Sequence, residues 1–145
     1  LRRPTDQPPV RFYERLEPAV FVLRLVPGMR ADIIPLLAPH YRALVLESFG
    51  VGGLPGGEHG EMFAALRRWC ESGRLAVFTT QVPHEGCDLA VYEVGRAVGE
   101  LPGVLEARDM TPEAVAVKLM WALGQTEDRE KAARLFETPI EYDIM

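Results

Sequence analysis

The sequence predicts an α/β layer protein, with about four parallel strands in one sheet and helices on both of its faces. Three observations carry that prediction. Short apolar runs rich in β-branched residues alternate with longer segments of helical periodicity. The runs are apolar almost throughout rather than at every second residue, the pattern of strands covered on both sides. Glycines and prolines stand between the segments and end one element before the next begins. Strands joined through helices at this spacing build βαβ units, hence a parallel sheet with right-handed crossovers.

Residues 1–18 carry Pro4, Pro8, Pro9 and Pro18 among charged side chains. Prolines at that density favour extended backbone, so 1–18 reads as a linker and 19–145 as the folded domain. The first strand spans 19–26 and stops at Pro27-Gly28. A short helix over 31–37 follows, disturbed by Pro35 and closed by Pro39. The second strand spans 43–47, and the glycines of 50–57 make a flexible turn. A helix over 58–72 places Met62, Leu66 and Trp69 on one stripe and ends at Gly73, a residue suited to the left-handed turn after a helix. The third strand spans 75–79. After a polar loop over 81–88, a helix covers 91–101 and a short fourth strand 103–107. Thr111, Pro112 and Glu113 then open a helix as cap, first residue and first-turn acid. Val115, Leu119 and Ala122 line its inner face, Gly124 closes it, and Thr126 is expected to cap the last helix. Together these elements make a small flavodoxin-like three-layer sandwich.

Composition narrows the function. The net charge of −5 leaves no Lys/Arg surplus for phosphate backbones, so no nucleic-acid partner is expected. Arg67 and Arg68 form an adjacent basic pair on a helix with acidic neighbours, which reads as a solvated face. The two cysteines, Cys70 and Cys87, lie in different elements, too few and too far apart for a disulfide framework or zinc cluster, and two free thiols suit a reducing cytoplasm. No apolar run approaches the roughly 20 residues that span a bilayer, so no membrane role is expected. No cofactor or metal is implied. The chain opens on Leu rather than Met, as a piece of a longer protein would.

Two loops leave strand ends, where ligands gather in open α/β sheets. Glu47-Ser48-Phe49-Gly50-Val51-Gly52-Gly53 could bring backbone N–H groups near a carboxylate, but its spacing is neither dinucleotide fingerprint nor P-loop. Thr79-Thr80-Gln81-Val82-Pro83-His84-Glu85-Gly86-Cys87-Asp88 gathers hydroxyls, an amide, an imidazole, a thiol and carboxylates. A Cys–His nucleophile would need an orienting third group, which one loop cannot be shown to provide, and a metal site would need a second cluster of ligands beyond His84, Cys87 and Asp88, with His40 and His59 far off in sequence. Thr79 and Thr80 lack an identifiable base. Glu113 and Lys118 read as capping and surface charge.

The two loops and the late helix, taken in order, resemble the C-terminal half of type I L-asparaginases and of the asparaginase-like subunit of archaeal glutamyl-tRNA(Gln) amidotransferase. The matching stretches are Val22-Leu-Arg-Leu-Val-Pro-Gly-Met29, Ala43-Leu-Val-Leu-Glu-Ser-Phe-Gly-Val-Gly52 with Leu54-Pro55, Thr80-Gln81 with Gly86 and Asp88-Leu89, Tyr92 with Val94-Gly95, and Asp109-Met-Thr-Pro-Glu-Ala114 with Lys118-Leu-Met-Trp-Ala-Leu-Gly-Gln125. They cover residues 19 to about 126.

The resemblance implies an amidohydrolase that converts L-asparagine to aspartate and ammonia. In that family a threonine pair with a Lys–Asp partner acts on an N-terminal domain opened by Thr-Gly-Gly-Thr, and no such segment occurs here. The implied catalytic set of this chain is therefore empty, its partner is an N-terminal asparaginase domain, and residues 1–18 take the interdomain linker's place. The family also implies a homo-oligomer, dimer or tetramer, in which this domain faces the neighbour's active site. Glu47, Ser48, Gly52, Gly53, Thr80 and Gln81 are the expected substrate-proximal or regulatory residues, with Ser48, Gly52, Thr80 and Gln81 converging on one concavity or interface. Two departures bear on this. Gly53 stands where the family has Asn, and Val82 where some bacterial members have the Cys of a regulatory Thr-Gln-Cys turn. The alternatives are the amidotransferase subunit, against which the acidic charge argues, and a stand-alone amino-acid-binding or regulatory domain.

Overall fold

A computed structural model of the protein describes residues 10–50, 52–56, 60–82, 86–91, 93–141 and 143–144. Nine elements follow one another: β1 (Val20–Arg24), α1 (Ile33–Leu37), β2 (Ala43–Ser48), α2 (Glu61–Glu71), β3 (Leu75–Thr80), α3 (Glu93–Gly99), β4 (Val104–Glu106), α4 (Pro112–Gln125) and α5 (Arg129–Glu137). The four strands form one parallel sheet in chain order, β1-β2-β3-β4. Val20 pairs with Ala43, Ala43 with Leu75, and Ala76 with Val104.

The helix placement follows from that order. Crossovers of one hand that always step in one direction put every intervening helix on the same face. Accordingly Leu44, Leu46, Ala76 and Phe78 pack with Ile34, Leu37, Met62, Leu66, Trp69 and Val98 of α1–α3. The alternate residues Ala43, Val45, Leu75 and Val77 meet Val115, Leu119 and Ala122 of α4 and Phe136 of α5 on the opposite face. With both faces filled, β2 and β3 are buried almost throughout. Phe78 is fully enclosed, and its truncation to Ala should cost about 3–5 kcal/mol.

The strand order also decides where the sequence reading departs from the fold. The apolar run of β1 suggests cover on both sides, yet β1 is an edge strand and Val22 remains 42% exposed. Gly124 does not close α4, which runs on to Gln125. A Cβ there would stand 2.5 Å from the Arg15 carbonyl, so this glycine admits a crossing backbone segment instead. The last helix is capped by Asp128, whose side chain accepts from Lys131 N, while Thr126, two residues earlier, accepts from Asp128 N. Lys118 is not a surface charge but 7% exposed: its ammonium reaches Asp143 at 2.8 Å and the Thr138 carbonyl at 2.9 Å. Those partners lie in the C-terminal tail, so local spacing could not reveal them. Arg67 and Arg68 are exposed, as read.

Contacts begin ahead of Ala19. Tyr13 packs edge-on against Trp121 with centroids 5.2 Å apart. Gln125 Nε2 donates to the Arg15 carbonyl at 2.9 Å, and Glu17 N to the Met120 carbonyl at 2.9 Å. Among the described residues no helix is long and apolar enough to cross a membrane.

Candidate functional site

Because the strands are parallel, the loops after β2 and β3 leave the same, carboxyl edge of the sheet. Ser48 and Thr80 are register partners there. Ser48 is fully buried and its Oγ donates to the Thr79 carbonyl at 2.9 Å. Thr80 Oγ1 donates to the Gly50 carbonyl at 2.6 Å and accepts from Val82 N at 3.0 Å. Gln81 N donates to the Ser48 carbonyl at 3.1 Å. Together these bonds stitch one loop to the other.

Gln81 extends the stitching to β1. Its Nε2 donates to the carbonyls of Leu25 at 2.7 Å and Glu47 at 2.8 Å, and its Oε1 accepts from Arg24 Nε at 3.2 Å. Arg24 also lies 3.8 Å from the Glu47 carboxylate. Around this clamp Glu47, Thr80 and Gln81 border a cleft of about 390 Å³, closed on its far side by the residues that open α4, from Asp109 to Glu113. Thr111 caps that helix by accepting from Ala114 N at 3.3 Å.

The glycines lie on the other side. Gly52 adopts φ +154, and a Cβ there would stand 3.0 Å from Leu89 Cδ2. Gly53 bridges back to Phe49, donating its N–H to the Phe49 carbonyl at 2.9 Å; a Cβ would come within 2.6 Å of the Phe49 ring. Gly53 and Gly50 border a second, shallower depression of about 500 Å³ with Phe49, Leu54, Glu93 and Val94. The two loops are therefore neighbours, but of the four residues expected to converge only Thr80 and Gln81 border the cleft described above. Glu47, Thr80 and Gln81 face the α4 cleft, Gly53 faces the second depression, Gly52 backs onto Leu89, and Ser48 lies inside.

Two residues that the sequence did not single out belong to this edge. Arg24 is an arginine within an apolar strand run, a signal that could have been read. Glu106, on β4, has its carboxyl raised above the usual range because burial penalises its charge and Asp88 stands near, against the N–H of Leu89, which favours the charged form.

The chemistry available is positioning rather than attack. The hydroxyls of Ser48 and Thr80 are already committed to carbonyls. Thr79 Oγ1 lacks a partner but is sealed from solvent. Burial pushes the Cys70 thiol up to about 11 and the Cys87 thiol up to about 12, the latter also through Glu106 and Asp88. At neutral pH both stay protonated and poorly nucleophilic. Among the described residues no three His, Cys, Asp or Glu side chains gather as metal ligands. The His84 and Glu85 part of the sequence-predicted cluster lies outside the described residues.

A family model described as the glutaminase/asparaginase C-terminal domain matches residues 19–136. The chain belongs to that family. It is 38% identical over 133 residues to an L-asparaginase of Thermococcus kodakarensis, covering 92% of this chain and 40% of the relative. It is 35% identical over 130 residues to a glutamyl-tRNA(Gln) amidotransferase subunit from Metallosphaera sedula, covering 89% of this chain and 28% of that protein. The solved thermostable L-asparaginase from T. kodakarensis superposes with a TM-score of 0.82 at 35% identity, over 97% of this chain and 44% of that one. L-asparaginase I from Vibrio cholerae gives 0.78 at 28% identity, over 89% and 38%. The chain thus spans less than half the length of the relatives it matches.

Proposed function

We propose that this domain works as the C-terminal part of a cytoplasmic L-asparaginase, completing at its carboxyl edge an active site whose nucleophiles reside on an N-terminal domain. The observation that carries this reading is the lopsided match: similarity runs along 92% of this chain but 40% of the Thermococcus L-asparaginase. The site supports the same division of labour, because its hydroxyls are bound to carbonyls and its thiols are buried and protonated. A rigid edge of this kind can shape a substrate pocket for asparagine and pack against a second subunit, as expected of a dimer or tetramer. By itself the chain is inactive, since an activated nucleophile needs an adjacent base or a lowered pKa.

The test is a chimera in which this chain replaces the corresponding C-terminal part of the Thermococcus enzyme. Ammonia release from asparagine should stay within about tenfold of the parent, about 1.4 kcal/mol of transition-state stabilisation. The 145-residue chain alone should release none. A folded chimera without activity, or turnover by the chain alone, refutes the reading. Turnover that appears only with glutamyl-tRNA(Gln) selects the amidotransferase alternative, and tight binding of free asparagine by the chain alone selects a stand-alone binding domain.

A further inference from the structure

α4 is apolar on two sides. Val115, Leu119 and Ala122 face the sheet, whereas Val117 is 58% exposed on the outer side. There a groove of about 640 Å³ runs between the 10–18 segment, α4 and the C-terminal tail, walled by Tyr13, Leu16, Val117, Trp121, Leu135 and Ile140. The charged groups at its rim are already engaged, Lys118 with Asp143 and the Thr138 carbonyl. A small polar ligand finds little to hold it, and a contiguous solvent-facing apolar patch is the mark of a protein contact.

The position of the groove selects the partner. Its near wall is the segment that enters the domain, pinned by Tyr13 on Trp121 and by Gln125 on the Arg15 carbonyl. The matching family is a C-terminal domain, and the Thermococcus relative is 40% covered, so the remainder of such a polypeptide lies ahead of this chain. A domain that precedes the 10–18 segment in the polypeptide is tethered beside the groove, where high effective concentration lets a modest apolar patch suffice.

We propose that this groove is the docking surface for the preceding N-terminal domain of the same polypeptide, placing α4 at an interdomain contact on the face opposite α1–α3. The inference rests on the two-domain reading above. It is tested by hydroxyl-radical labelling of Tyr13, Leu16 and Ile140 in the 145-residue chain and in the same chain fused behind the Thermococcus N-terminal domain. Labelling of these side chains should fall by at least about threefold on fusion, as half-exposed residues become interface core. Val117→Arg should restore it in the fusion while leaving the melting of the isolated chain unchanged, because that side chain already faces solvent and Arg is a good helix former. Leu16→Glu, off the helix, should do the same. Unchanged labelling in a fusion that hydrolyses asparagine overturns the docking surface and spares the functional reading. Lowered labelling in an inactive fusion supports the surface and counts against that reading. Labelling of the isolated chain that falls with its own concentration assigns the groove to a second copy and overturns the proposal.

Discussion

Gln81 is expected to act as a structural clamp, and the geometry sets the size of the effect. Gln81→Met keeps the volume of the side chain and removes both amide donors. The Leu25 carbonyl loses its bond at 2.7 Å, whereas the Glu47 carbonyl keeps a second donor, Leu25 N at 3.0 Å. A net hydrogen bond contributes roughly 0.5–1.5 kcal/mol, and a carbonyl stranded away from water costs somewhat more. The Arg24 contact adds little, because that side chain is largely exposed. The sum is a loss of about 2 kcal/mol, which for a domain of this size lowers the melting temperature by about 6 °C. Gln81→Glu should cost more, since it sets carboxylate oxygens against two carbonyls, and should recover part of the loss below about pH 4, where the carboxyl protonates into a donor. Thermal unfolding followed by circular dichroism, with urea titration as a check, measures both. A Met variant melting within about 1 °C of the parent would refute the clamp and leave Gln81 as a surface side chain free for a ligand.

The Lys118–Asp143 pair predicts a pH dependence. Burial alone would raise the Asp143 carboxyl, but hydrogen bonds from Lys118 and Ile140 N outweigh it and hold it below the ordinary value of 3.8. The contribution to stability is therefore complete above that value and fades as pH falls through the depressed folded one; Asp143→Asn should flatten the dependence, measured as urea midpoints across the acid range, and an unchanged slope would sink the assignment. Neither thiol should react with a disulfide reagent near pH 8 until denaturant is added, given values of about 11 and about 12 for Cys70 and Cys87. Rapid stoichiometric labelling of the native chain would contradict their burial. Gly53→Asn, the residue that the sequence resemblance leads one to expect here, should cost about 2 kcal/mol because its Cβ meets the Phe49 ring. Phe49→Ala in the same chain should recover part of that loss, and strictly additive effects would mean that the two positions are not coupled.

How much was legible divides along the range of the interactions. The layer class, the four strands and all five helices follow from apolar runs, helical periodicity and Gly/Pro punctuation, each encoded within a dozen neighbouring residues. That the loops after 43–47 and 75–79 share an edge follows too, once the strands are parallel. Trp69 and Leu66 fall on the buried stripe of α2 as the spacing demands. The sequence motifs also sufficed to place the chain in its family.

Other features needed the tertiary structure, because they depend on partners far away along the chain. Gly124 looks like a helix stop until the Arg15 backbone is seen crossing it. Lys118 looks solvated until the tail brings Asp143 to its ammonium, 25 residues later in the sequence. Gln81 stands out in the sequence as a loop candidate, but its bonds run 56 residues back to Leu25 and 34 to Glu47, so only the assembled sheet shows what its amide holds. That Glu47, Thr80 and Gln81 share a cleft with the start of α4 while Gly53 borders another depression arises in the same way, from α4 folding back across the sheet beside β2 and β3. Periodicity records which face of an element is apolar, because that is a property of neighbours. It carries no record of which distant carbonyl or carboxylate will meet a given polar side chain, since that pairing exists only after the elements have packed.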